Sequence, residues 1–313
     1  GNIYVLDGGN CRIQKFDAQG NYSLTIGRKG QGPGEFEQPT HFALTPDERI
    51  LVYDAQRKRL SVFSTGGEFL RDLFIGDKIQ TNYSFSEFFV WPDGDVLLSA
   101  TQLDPEKSQE VRTFYRLTLD EFRHQQLFSI RYPVWLVQPP QGGAMGWADL
   151  IKVTVATDTN RNVYVSYQKD YVIEVYSGEG KLQRRIYRKF AKVPYSEEER
   201  RQMAARPSFV LNGKEYYKPV PEFKDDIQGM VARENGELWV LTSQRLAGDY
   251  VIDVFDARGR FVRQLRSEED FPFAGHGTIW RPGAVWKGGR VYALVTDEDG
   301  LIAAKRYRFE MLD

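Results

Sequence analysis

Side chains suited to proton chemistry near neutral pH are scarce in this 313-residue chain, which has three histidines, His41, His124 and His276. Histidine alone has its ordinary pKa in that range, so a general base is sought among these first. His41 and Glu87 each precede a short apolar run, Phe42-Ala43-Leu44 and Phe88-Phe89-Val90, and His276 lies between Gly275 and Gly277. A histidine and a carboxylate brought together would serve a lyase or a hydrolase. The imidazoles share no ligand-like spacing, and the single cysteine, Cys11, excludes an internal disulfide framework and a thiolate zinc cluster. Neither a metal nor a cofactor is expected.

Two further patterns imitate chemistry. The stretch from Gly27 to Gly34 has the glycine content of a phosphate loop. It lacks a Gly-Lys-Ser/Thr ending and leads into a strand, so it is read as a flexible crossing between strands. Asp7 and Arg12 are five residues apart, as are Asp54 and Arg59. One offset at two equivalent turns predicts a side-chain pair bracketing each hairpin, a structural role rather than a catalytic one. With 42 basic and 43 acidic residues and a net charge of −1, the chain lacks the electrostatic footprint of a nucleic-acid binder. No apolar run approaches the roughly 20 residues of a transmembrane helix.

A repeat must position these residues. Gly1-Asn2-Ile3-Tyr4-Val5-Leu6-Asp7, then Arg12 to Phe16, a turn at Gly20, and Tyr22 to Ile26 make one unit. It recurs from Arg49, and weaker copies start at Asp95, Asn162, Glu237 and Arg290, six in all. The short β-branched and aromatic runs are strand chemistry, and where the full unit is legible it opens with one more apolar run. Six units of four antiparallel strands predict an all-β, six-bladed β-propeller over residues 1–313. The turn between third and fourth strands is placed at Gly20, Gly67, about Glu121, Gly180 and Gly259. One insertion, about residues 190–224, falls between blades 4 and 5. In it Ser196-Glu197-Glu198-Glu199 is a capping box for a short helix that ends before Pro207. The first blade lacks its innermost strand and the last its outermost, and a segment upstream of Gly1 is expected to supply both.

The unit around Gly1 to Gly20 resembles the NHL repeat, and Ile26-Gly27-Arg28-Lys29-Gly30-Gln31-Gly32-Pro33-Gly34-Glu35-Phe36 with Pro39 resembles the linker of bacterial six-bladed propellers of that type. The resemblance implies a six-bladed ring on an exported bacterial protein, periplasmic or extracellular, or on a lipoprotein. It does not imply an activity, because the fold hosts lyases, hydrolases and binders alike. Zinc-binding lyases of the type use several channel histidines, for which this chain has no equivalent set.

In a propeller, the connections from each outermost strand to the next innermost strand share one face at the channel mouth. The insertion and the loops 76–86, 129–150 and 267–282 are placed there. They carry Tyr83, Phe85, Trp135, Trp147, Phe271, Phe273 and Trp280, aromatic rings of the kind that stack on sugars and anchor protein contacts. Aligning the innermost strands puts His41, Glu87, Thr154 (with Lys152 nearby), Gly229 and about Pro282 at one level. The sequence thus predicts non-catalytic binding of a glycan or partner protein by a monomer, through His41, Tyr83, Glu87, Trp147, Lys152 and Trp280. The alternative is a lyase or hydrolase using His41, Glu87 or His276; His124 is expected at the surface.

Overall fold

Alternate residues of the strand Arg49–Asp54 enter two different hydrophobic layers, Ile50 and Val52 one, Leu51 and Tyr53 the other. A strand covered on both faces loses the apolar–polar alternation of a half-exposed strand and reads as a continuous apolar run. The same split recurs downstream, where Val96 and Leu98 face the layer below and Leu97 the layer above. Sheets buried on both faces stack as blades.

The computed structural model describes residues 1–76, 79, 87–137, 146–267, 284–287, 290–296 and 302–308. Within them the chain forms six antiparallel meanders in sequence order, and each pairs only strands adjacent in the chain. Blade 1 comprises Ile3–Asp7, Arg12–Phe16 and Tyr22–Ile26; blade 2 comprises Pro39–Leu44, Arg49–Asp54, Arg59–Ser64 and Phe69–Phe74. Blade 3 adds a fifth strand to Phe88–Val90, Val96–Asp104, Gln109–Thr118 and Arg123–Val137, namely Gly146–Asp149. Blade 4 runs through Thr154–Thr157, Val163–Ser166, Val172–Tyr176 and Leu182–Tyr187, and blade 5 through Ile227–Ala232, Leu238–Leu246, Asp249–Phe255 and Phe261–Ser267. The described strands of blade 6 are Ala284–Lys287, Arg290–Thr296 and Ile302–Arg308. The core is divided into five layers, each between two successive blades. This is the six-bladed propeller that the repeat predicts.

The turn between the third and fourth strands joins neighbouring blades. Gly67 of blade 2 lies against Leu24 and Ile26 of blade 1, Gly180 of blade 4 against Leu127 of blade 3, and Gly259 of blade 5 against Ile186 of blade 4. Blade 3 uses polar contacts instead: Arg71 Nη2 of blade 2 donates to Leu119 O at 3.1 Å. A Cβ at Gly180, whose φ is +84°, would lie 2.4 Å from the carbonyl oxygen of Leu127. Gly20 has nearly the same backbone, φ +89°, with nothing within 4 Å. Gly180→Ala is therefore expected to destabilise by about 3 kcal/mol and Gly20→Ala by about 1 kcal/mol. Urea midpoints at unchanged slope would show the difference, and equal losses would refute the docking role.

The Gly27–Gly34 crossing is packed rather than loose. Arg59, 2% exposed, donates from Nη2 to the carbonyls of Gly32 and Glu35 and from Nη1 to Asp72 at 2.7 Å. The loop amides are engaged within the loop as well: Gly32 N donates to Glu35 Oε2 at 2.8 Å and Gly30 N to Phe36 O at 3.0 Å. Arg12 pairs with Asp7 at 2.9 Å, as their offset predicts. Asp54 and Arg59 do not repeat the pair. Asp54 instead accepts from the amides of Glu37 and Gln38 at the entry to Pro39–Leu44, the first strand of the same blade, at 2.8 and 3.1 Å.

Candidate functional site

The strand register sets one level across four blades. His41 pairs with Tyr53, Thr154 with Ser166 and Gly229 with Leu241, while Ser99 N donates to Glu87 O at 3.3 Å. Tyr53, Ser99, Ser166 and Leu241 are each the fourth residue of the apolar run in their strand, so the four inner-strand residues are equivalent. Pro282, Tyr83, Trp280 and His276 lie outside the described residues.

Sharing a level does not join the chemistry. His41 is 5% exposed, with its ring centroid 6.3 Å from Tyr53 and 6.4 Å from Phe88. Nδ1 lies 3.0 Å from Thr40 Oγ1, and Nε2 has no hydrogen-bond partner among the described residues. Burial alone pushes the imidazole pKa down to about 4, so it is neutral and sealed at pH 7. Glu87 is committed elsewhere: Oε1 accepts from Arg112 Nη1 at 2.8 Å and Oε2 from Ser99 Oγ. The structure does not make an acid–base pair of His41 and Glu87.

Glu87 instead begins a polar chain that crosses blade 3. Arg112 Nη2 donates to Tyr132 Oη at 2.8 Å, Tyr132 Oη donates to Glu110 Oε2 at 2.6 Å, and Trp147 Nε1 donates to Glu110 Oε1 at 3.0 Å. Glu87, Glu110 and Tyr132 are 8%, 6% and 2% exposed. Burial works against the Arg112 charge, but Glu87, Tyr132 and Glu110 outweigh it and hold the guanidinium pKa above its ordinary value. Burial chiefly keeps the Tyr132 hydroxyl protonated, with Glu110 as its acceptor. Charged groups removed from water persist only when paired in this way.

Blade 3 can carry this chain because it is taller than its neighbours. Its second, third and fourth strands have 9, 10 and 15 residues, against 4, 5 and 6 in blade 4. The added length, together with Gly146–Asp149, forms a wall at the mouth. Trp135 and Trp147 therefore lie on paired strands, opposite Ala148 and Leu136, and not on the loop expected over 129–150. Pro133 suggests a break there, yet it falls where the long strand passes from Gln109–Thr118 to Gly146–Asp149 as its partner.

The insertion reaches this wall. Its helix, Glu197–Ala205, has the predicted capping box, with Glu199 N donating to Ser196 Oγ at 3.1 Å and Ser196 N to Glu199 Oε2 at 2.8 Å. A hairpin follows, Phe209–Leu211 with Lys214–Tyr216, joined by Asn212 and Gly213, both at positive φ. Phe209 lies 5.3 Å from Trp135 between ring centroids, and Lys218 Nζ donates to Asp149 O at 2.8 Å. Lys152 serves the returning chain: its amide donates to Asp225 Oδ2 at 2.7 Å and its ammonium to Gln228 O. It is not part of the Glu87 chain. His124 is exposed on the long outer strand, where it was expected.

Arg112, Glu110 and Tyr132 are the residues that sequence reading misses. The available signal was Glu110-Val111-Arg112, which puts two opposite charges on one face of a strand, a spacing easily read as a solvated face. Among the described residues, no cluster of three or more His, Cys, Asp or Glu side chains could hold a metal ion.

Comparison with known proteins supports the fold. The family DUF5128, described as a 6-bladed beta-propeller, matches residues 1–95. A putative exported protein from Bacteroides fragilis superposes with a TM-score of 0.51 at 14% identity, covering 94% of this chain and 77% of that one. A member of the DUF4221 family from Bacteroides vulgatus gives 0.51 at 12% identity, covering 95% and 86%. Virginiamycin B lyase from Staphylococcus aureus matches more loosely, at 0.46 and 10% identity over 100% and 82% of the two chains. No curated protein matches the sequence significantly. At these identities the likeness concerns fold alone.

Proposed function

We propose that this propeller is a non-catalytic binding protein that recognises a glycan or a partner protein at the mouth face, beside the wall of blade 3. The observation that supports it best is the state of the mouth residues. Among the described residues, His41 is neutral and sealed and Glu87 is locked in an ion pair, while the Trp147 indole is held by a buried carboxylate. Rigid aromatic rings near a polar rim fit recognition, because little side-chain freedom remains to be lost on binding. Tyr83 and Trp280 belong to the same reading by their place in the sequence. Action as a monomer and export to the periplasm or cell surface are parts of this proposal, the latter from the sequence resemblance. No helix among the described residues is long and apolar enough to cross a membrane.

A thermal-shift screen against oligosaccharides and short peptides tests the reading. A ligand at 100 times its Kd stabilises by about 2.7 kcal/mol, which for a chain of this size raises Tm by roughly 5 °C. Tyr83→Ala with Trp280→Ala should abolish the shift while leaving the unliganded Tm unchanged. Silence from both ligand classes, or a shift that survives the double substitution, would overturn the assignment.

A further inference from the structure

The insertion leaves the ring and returns to it through a closed neck. Pro194 forms an antiparallel bridge with Phe223, Tyr195 N donates to Glu222 O at 3.1 Å, and Lys224 N donates to Val193 O at 2.9 Å. Lys192 fixes one side of the neck through Asp170 at 2.7 Å and Asp226 at 3.1 Å, and Lys224 ties the other to Glu199 at 2.6 Å. Beyond the neck the excursion is attached lightly. The helix buries no residue, and Val210, Tyr217 and Phe223 are exposed. Within the described residues its tip meets blade 3 through Phe209 and Lys218.

The seat of Phe209 is shaped for an aromatic ring. Trp135 lies on one side, and on another Gly146 leaves room that no other residue would, since a Cβ there would lie 2.1 Å from Phe209 Cε2. Tyr216 stacks on the same ring, with centroids 5.5 Å apart and planes at 22°. Beside it, Asp149 O accepts from Lys218. The occupant is thus a peptide strand that presents an aromatic side chain to a glycine-floored seat, with an ammonium to a nearby carbonyl.

We infer that this seat is a docking site for an extended segment of a partner protein bearing an aromatic residue and a nearby lysine or arginine, and that the hairpin is its intramolecular occupant. The inference rests on the proposed binding role and narrows it to the protein branch. A partner segment enters by displacing the hairpin, which swings on the neck at Pro194 and Phe223 while the ring stays closed. Gly146 and Trp135 set the selectivity, the first by admitting a planar ring and the second by packing against it.

The test is binding in trans of a fluorescent peptide with the sequence of residues 206–218. In one full-length variant, residues 207–218 are replaced by a short Gly-Ser link, and in another Phe209→Ala leaves the hairpin backbone in place. Both are checked against wild type by circular dichroism. The expected result is peptide binding at least tenfold tighter to either variant than to wild type, and lost when the peptide itself carries Phe209→Ala. Gly146→Leu in the emptied protein should abolish capture. Equal binding to wild type and variants, no binding to a folded variant, or indifference to the peptide phenylalanine would each overturn the inference. A glycan hit in the thermal-shift screen alongside such a failure would leave the broader binding role standing.

Discussion

Arg112→Met is expected to cost about 4 kcal/mol of stability, the loss typical when one partner of a buried ion pair is removed. The reason is the company the guanidinium keeps. Glu87 lies 2.8 Å away and is nearly inaccessible, and Glu110 is reached through Tyr132, which itself accepts from Arg112. Without Arg112, two carboxylates remain out of water with no cation between them. In a chain of this size, about 2–4 °C of Tm per kcal/mol gives a fall of roughly 10 °C. Adding Glu87→Gln to Arg112→Met should recover part of the loss, because one uncompensated charge is removed. A single-variant loss below about 1 kcal/mol would mean that Glu87 and Glu110 find water, and the network would not be the support of the wall.

The second large effect is an acid weakness at His41. Its imidazole titrates near 6.5 in an unfolded chain and at about 4 when buried between Tyr53 and Phe88. Between those values the unfolded state binds the proton and the folded state does not, so stability falls as the pH drops below 6.5 and levels off near 4. The full loss is about 3 kcal/mol, of which about 2 kcal/mol arrives between pH 7 and pH 5. Asp7 and Glu199, held below their ordinary pKa, lose their contribution at lower pH, whereas burial raises Asp149, Asp225 and Asp226, which oppose the histidine, so its share is read from the difference between wild type and a variant without it. His41→Phe fills a similar volume without a titrating group, and it should flatten the decline between pH 7 and pH 5. Denaturant midpoints at both pH values measure it directly. An unchanged slope in the variant would show that His41 is not the group responsible.

The ring was legible because the repeat states its own period. Runs such as Ile50-Leu51-Val52-Tyr53 bury on both faces, and the glycines at 20, 67, 180 and 259 mark backbone turns that few other residues adopt. The level shared by His41, Glu87, Thr154 and Gly229 also follows from counting along equivalent strands. What each side chain does at that level was not legible. Whether Glu87 faces a ligand or an arginine depends on Arg112, 25 residues away and on the third strand of the same blade. The extra height of blade 3 was hidden too, because Pro133 breaks the pattern at the point where the long strand changes partner. The reach of Phe209 to Trp135 crosses from the insertion after blade 4 back to blade 3, a contact no local pattern encodes.

The hairpin glycines carry one more consequence, which concerns the order of construction. In blades 2, 4 and 5 the turn rests on the outer strand of the blade before it: Gly67 on blade 1, Gly180 on blade 3, Gly259 on blade 4. Docking therefore has a direction along the chain. Each of these turns seats on an outer strand that precedes it in the sequence. In a chain growing from its N-terminus, the strand that receives the turn is made before the turn itself. Wedging a turn open, as an alanine at Gly180 would, interrupts that succession at one point and leaves the earlier blades able to assemble.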